Sequence, residues 1–129
     1  MKNEIFQISS LELKQIKKEI FDNENLKLSV LDGNVIKSRT DFANLLKDMF
    51  HLPMDNVISF DAFLDWMRDL DWIYEESIAV IIYNFSIIEC SVKEEIKESF
   101  KIILNFWDDE VERVVMGGKK RRFNVYLVD

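Results

Sequence analysis

Eight consecutive residues, Ile78 to Phe85 (IAVIIYNF), leave this chain little choice of fold. A run that is apolar at nearly every position suits a strand covered on both faces, since a strand with one face in water would alternate apolar and polar side chains. Such a strand belongs in a parallel sheet, parallel neighbours are joined by crossover helices, and helices therefore have to pack on each side. The run is much too short for the roughly 18 apolar residues that a membrane span needs, and no other stretch comes closer.

The segments around it alternate as that sheet requires. LKLSVLDGN at 26 to 34 reads as a strand leading into a turn at Asp32-Gly33-Asn34, where Gly33 can take positive φ without a steric cost. Thr40 is expected to cap a helix that runs to about residue 50, with Phe42, Leu45, Leu46 and Met49 facing inward and Pro53 preventing its continuation. After the apolar strand, Ser91 and Glu94 have capping-box spacing and open a helix to about residue 110, with Val92, Ile96, Phe100, Ile103 and Trp107 on its buried face. FNVYLVD is the final strand, and Val111 to Met116 with Gly117-Gly118 form an optional hairpin partner to it. At the other end, Ile5, Phe6 and Ile8 begin a short strand, and Ser9 with Glu12 makes a capping box for a helix whose Leu13, Ile16 and Ile20 share one face. The expected fold is α/β, a small three-layer protein with a mostly parallel three-stranded sheet flanked by helices. Residues 1 to 26 form an N-terminal extension, expected to dock in cis on a main domain at 27 to 129.

At 129 residues the chain suits one domain with one core, and 48% hydrophobic content with three Gly and one Pro excludes a disordered or loop-rich class. Seventeen basic and twenty-four acidic side chains give a net charge of -7, which disfavours nucleic-acid binding through phosphates and favours a basic protein partner. The single Cys90 cannot make an internal disulfide, and MKNEIFQISS lacks the apolar region of a secretory signal, so a reducing cytoplasm is expected.

Between the second helix and the apolar strand lies LPMDNVISFDAFLDWMRDLDWI, residues 52 to 73. Ser59 is an N-cap signal, and from Phe60 onward Phe60, Phe63, Leu64, Met67 and Leu70 fall on one side of a helix. Asp61, Asp65 and Asp69 fall on another at i, i+4, i+8, a spacing that costs a few tenths of a kcal/mol per neighbouring pair, with Arg68 the one nearby offset. The helix dipole favours Asp61 in the first turn and opposes Asp69 in the last, so capping accounts for only the first of them. The row is either an ordinary solvated face or a binding surface.

Leu52-Pro53, Ser59, Asp61-Ala62, Asp65 and the run Arg68-Asp69-Leu70-Asp71-Trp72 together resemble the segment around the inhibitory helix of the barstar family, intracellular inhibitors of the ribonuclease barnase. In that family a Leu-Pro precedes two aromatics, a glycine, a spacer and an Asn, then an apolar residue, Asp-Ala, two more residues and Asp. Here Ser59 replaces the Asn and can still cap. Asp55, Asn56 and Val57 stand where the family has aromatic, aromatic and glycine, and Leu64 holds a position that is often aromatic. The resemblance covers roughly residues 27 to 129. It implies that the helix and its preceding loop plug the basic active-site cleft of a ribonuclease, its carboxylates taking the place of RNA phosphates. Carried over, the main roles fall on Asp65 and Asp61, with Leu64, Asp55, Asn56 and Asp69 around them. A third family acid on the last long helix becomes Asp108, or Asp109 if the register slips by one.

The partner so implied is a basic extracellular-type ribonuclease or a related toxin, bound 1:1, with no cofactor, metal, nucleic acid or membrane. Two rivals stay open: an immunity protein of the same fold against a different toxin, for which the altered loop at Asp55 to Val57 speaks, and an enzyme using the Asp row for a divalent cation. Enzyme signatures are otherwise scarce, with no phosphate-cradling loop, nucleophile elbow or Cys/His metal spacing. His51 reads as a structural or surface residue, Cys90 as a small packing residue, and Lys119 to Arg122 as a solvated loop. Trp66, off the apolar stripe, either packs on a neighbour or is displayed.

Overall fold

The computed structural model describes residues 3–21, 25–55, 59–70, 72–109 and 122–129. Its strands are β1 (Ile5–Ile8), β2 (Leu26–Asp32), β3 (Ser77–Tyr83) and β4 (Arg122–Val128), and its helices α1 (Ser10–Phe21), α2 (Arg39–Phe50), α3 (Phe60–Asp69) and α4 (Cys90–Asp108). Every paired strand is parallel, in the order β1-β4-β3-β2. The sheet therefore has four strands rather than three, because the N-terminal strand adds itself to the edge of β4.

The handedness of the crossovers explains which face each helix covers. From β1 to β2 the chain travels across the sheet in one direction, and from β2 through β3 to β4 it travels back, so right-handed connections put α1 on one face and the later helices on the other. Ile78 to Ile82 in β3 are all buried, with alternate residues serving the two layers. Val80 and Ile82 join Phe42, Phe63, Met67, Phe100, Ile103, Phe123 and Val125 in the larger core under α2, α3 and α4. Ile81 joins Leu13 and Val128 on the opposite face, with Ile8, Ile16, Ile20 and Tyr126 packed around them. The capping box expected for α1 is present: the Glu12 N–H donates to Ser9 Oγ (3.1 Å) and the Ser9 N–H donates to Glu12 Oε1 (3.3 Å).

Two of the expected caps move. α2 starts two residues earlier than a Thr40 cap would allow, and its N-cap is Ser38, whose Oγ accepts the Asp41 N–H at 3.1 Å. α4 starts at Cys90, so Ser91 is already inside the helix and its hydroxyl donates to Glu89 Oε1 (3.1 Å) rather than capping. Cys90 is exposed and packs into no core. α2 ends at Phe50 through His51, which adopts the left-handed conformation at φ 53°, so the helix stops before Pro53 has to break it. The pair Gly117-Gly118, the segment Val111 to Met116 and Lys119 to Arg121 lie outside the described residues, while Arg122 is exposed at the start of β4.

Gly33 is needed for room rather than for positive φ. It opens a 3-10 turn, Gly33–Val35, and a Cβ placed on it would lie 2.9 Å from the Tyr83 carbonyl oxygen and closer still to that of Asn84. Gly33→Ala is therefore expected to destabilise the protein by about 1–3 kcal/mol, since backbone rather than a yielding side chain has to move; a chemical melt unchanged within error would refute this. The same junction is tied by Asp32, whose Oδ1 accepts from Asn84 Nδ2 and from the Asn34 N–H, both at 2.9 Å. These hydrogen bonds, that of Asn84 foremost, hold the Asp32 carboxyl below its ordinary range. The stability they add is thus present above the unfolded carboxyl's pKa and is lost as pH falls through the lower folded value. Asp32→Asn should flatten that part of the acid limb in thermal melts taken from neutral to strongly acid pH.

Candidate partner-binding surface on helix α3

α3 begins where its sequence says. Ser59 is extended (φ -105°, ψ 117°) and its Oγ accepts the Ala62 N–H at 3.3 Å. The helix ends after Asp69, where Leu70 turns left-handed at φ 49° and its N–H donates to the Trp66 carbonyl. Phe63, Met67 and Leu70 are fully buried. The Phe42 ring meets Phe63 edge-on at 6.2 Å, and Trp107 Nε1 donates to the Met67 carbonyl at 3.1 Å, so both α2 and α4 grip the inner side. A helix held this way presents its outer side as a fixed surface.

Asp61 and Asp65 are exposed on that outer side, and Asp69 is half-buried. Asp65 keeps 75% of its side-chain surface in water and lies 3.5 Å from Arg68 Nη1. A surface pair of this kind contributes about 0–1 kcal/mol, too little to neutralise the carboxylate toward a partner. Ala62, Asp65, Trp66 and Asp69 line a shallow hollow of about 380 Å³ on the same side. Trp66 does both things left open for it: it packs on the core and against Trp72 (5.8 Å between centroids), and one side of it faces the hollow. Trp72 is held in turn by its Nε1 donating to the Phe50 carbonyl at 2.7 Å.

The other expected site residues separate. Asp55 is exposed in the loop before α3, and its carbonyl accepts from Lys47 Nζ, which anchors that end of the loop to α2. Asn56 lies outside the described residues. Leu64 is only 7% exposed and sits against α4, so it supports α3 from beneath rather than standing out from it. Asp108 is engaged elsewhere: its Oδ1 accepts the Asn3 N–H at 2.8 Å, and Asn3 Oδ1 accepts the Phe123 N–H at 2.9 Å. The acid expected to face a partner from α4 thus joins the N-terminal segment to the sheet. Glu94, expected only as a capping-box partner, and Glu98, one turn further along α4, line the same hollow as Asp61; their i, i+4 spacing is the signal the sequence carries for this.

Among the described residues no three His, Cys, Asp or Glu side chains are grouped so as to hold a metal ion, and no helix is long and apolar enough to cross a membrane. The fold defines a class: a small α/β protein with a four-stranded parallel sheet, which displays the acids of α3 on its surface. A family model described as Barstar (barnase inhibitor) matches residues 26–128. The chain belongs to the barstar family, whose members are inhibitors rather than enzymes. No curated protein matches it.

Proposed function

We propose that this protein inhibits a basic ribonuclease of the barnase type inside the cell that makes it, by seating the outer side of α3 in the enzyme's phosphate-binding cleft. The observation that carries the reading is the pair Asp61 and Asp65, exposed one turn apart on a helix whose other side is gripped by α2 and α4. Carboxylates fixed in place lose little freedom on meeting arginines and lysines, and charge-assisted hydrogen bonds of that kind are the stronger ones. The expected result is stoichiometric, 1:1 loss of activity when the protein is titrated into barnase. Excess protein without effect on barnase, or on any other basic microbial ribonuclease in a panel, would sink the proposal.

A second reading keeps the surface and changes the enzyme. The loop carries Asp55, Asn56 and Val57 where the family pattern has two aromatics and a glycine, which favours a nuclease or toxin whose cleft rim differs from barnase's. Inhibition confined to other members of the panel, with barnase untouched, would select it.

A further inference from the structure

Among the described residues β1 has β4 as its one strand neighbour, which leaves its other edge open. The Glu4 and Ile8 carbonyls accept the N–H of Val125 and of Asp129, so Glu4, Phe6 and Ile8 turn their backbone groups toward β4, while Ile5 and Gln7 turn theirs away from the sheet. Beyond those two the chain closes the row itself: the Asn3 N–H donates to Asp108 Oδ1 and the Ser9 N–H donates to Glu12 Oε1. The open edge is therefore a window of two residues, with two N–H donors and two carbonyl acceptors placed evenly about Phe6. It also lacks the charges that usually guard an edge strand. Ile5–Ile8 reads IFQI, whereas β2 at the opposite edge carries Lys27 and Asp32.

We infer that this window pairs with its own copy, β1 running antiparallel to β1 of a second molecule across a two-fold axis at Phe6. Ile5 of each chain then faces Gln7 of the other, and both pairs exchange two hydrogen bonds, so that every donor and acceptor of the window is used. A register centred on Ile5 would need the Asn3 N–H, and one centred on Gln7 the Ser9 N–H, and both are already donated. At the axis the two Phe6 side chains form the non-hydrogen-bonded pair, where cross-strand neighbours stand closest. Within its own chain Phe6 stacks on Tyr126 at 5.2 Å, so the pairing joins two aromatic stacks into one row. That row also covers the open side of a hollow of about 350 Å³, which Phe6 and Tyr126 line together with Ile16 and Ile20. Charge selects the same occupant. Residues 3 to 21 hold three acids and three lysines, a net charge of zero in a chain of -7, so two acidic molecules meet here without the repulsion that their other surfaces impose. A charged foreign segment finds no counter-charge in the window, whereas the copy brings none to be matched.

Sedimentation equilibrium of the full chain over a concentration series is the first test. Two short strands bury less than a standard interface, so the expected result is a reversible dimer with a dissociation constant on the order of 0.1 mM. Gln7→Pro removes one donor from each chain and sets the ring where the second copy would lie, yet it costs no bond to β4, because that N–H points away from the sheet. The variant should melt near the parent and lose the dimer. Amide hydrogen exchange of the parent decides the matter even if that variant folds poorly. The Ile5 and Gln7 amides should slow several-fold as concentration rises through the dimer range, while those of Phe6 and Ile8, bonded to β4, stay unchanged. A parent that is monomeric up to about 1 mM, a dimer that persists in Gln7→Pro, or concentration-dependent protection centred on other residues overturns the inference. So does protection of Ile5 and Gln7 that comes only with an added ribonuclease, which would give the edge to that partner.

Discussion

Asp65→Ala is expected to weaken binding of a barnase-type ribonuclease by about 2 kcal/mol or more, some thirtyfold, whereas Asp69→Ala should cost a fraction of that. Both acids border the same hollow, so position decides between them. Asp65 stands at mid-helix, one turn from Asp61, where a docked surface excludes water from all sides. Asp69 is the last residue of α3, half-buried and beside the turn at Leu70, where a charge sits at the rim. A desolvated interface carboxylate facing arginine governs dissociation, while a rim charge mainly sets the association rate and its salt dependence. Stability should hardly change. Losing the Arg68 pair costs at most about 1 kcal/mol, and relief of repulsion along the row returns a few tenths for each neighbour. Equal and small losses at both positions, measured by calorimetry or surface binding, would mean that the row is only a solvated face.

Removal of residues 1 to 21 is expected to reverse this pattern, with a loss of several kcal/mol of stability and little direct effect on the inhibitory surface. α1 covers the second face of the sheet: Leu13 is buried there, and Ile16 and Ile20 pack around Ile81 and Val128. Full burial of a large aliphatic side chain, as at Leu13, contributes about 1.5–3 kcal/mol, and the partly buried Ile16 and Ile20 add less. Without them Ile81, Val128 and their neighbours would face water, and β4 would lose its pairing with β1. None of these residues lines either of the two hollows beside α3. The truncated protein should melt at a much lower temperature and tend to self-associate, while any fraction still folded at low temperature inhibits. A truncated protein that melts like the parent but no longer binds would give the N-terminal segment a role in recognition.

The two faces of β3 were readable from the run at 78 to 85 because burial on both sides removes every polar alternative, and this one strand forced the parallel sheet. The start of α3 was readable because Ser59 is the only hydroxyl residue at that boundary. At α2 both Ser38 and Thr40 offered a hydroxyl, and which of them leaves the helical conformation depends on how the chain departs from the 3-10 turn at Gly33, a tertiary matter. The spacing of Ser91 and Glu94 imitated a capping box for the same reason. For the surface, periodicity identified which side of α3 carries the acids. It could not tell that Leu64 is buried beside α4, or that Asp108 is taken up by the backbone of Asn3, since both depend on contacts between distant parts of the chain.

The strand order has a consequence for how the protein comes into being. β4 is inserted between β1 and β3, yet it is the last of the described strands to be synthesised. Until it arrives, β3 has β2 on one side and an open edge on the other, and β1 has no neighbour among the described strands. The nascent chain therefore exposes IAVIIY along an unpaired edge, the kind of segment on which chains nucleate aggregates. Closure joins residues as far apart as Asn3 and Phe123, so the entropy of the longest loops is lost at this one step. Strand insertion is accordingly the expected slow phase of refolding, and the yield of native protein is set by how it competes with intermolecular pairing at β3.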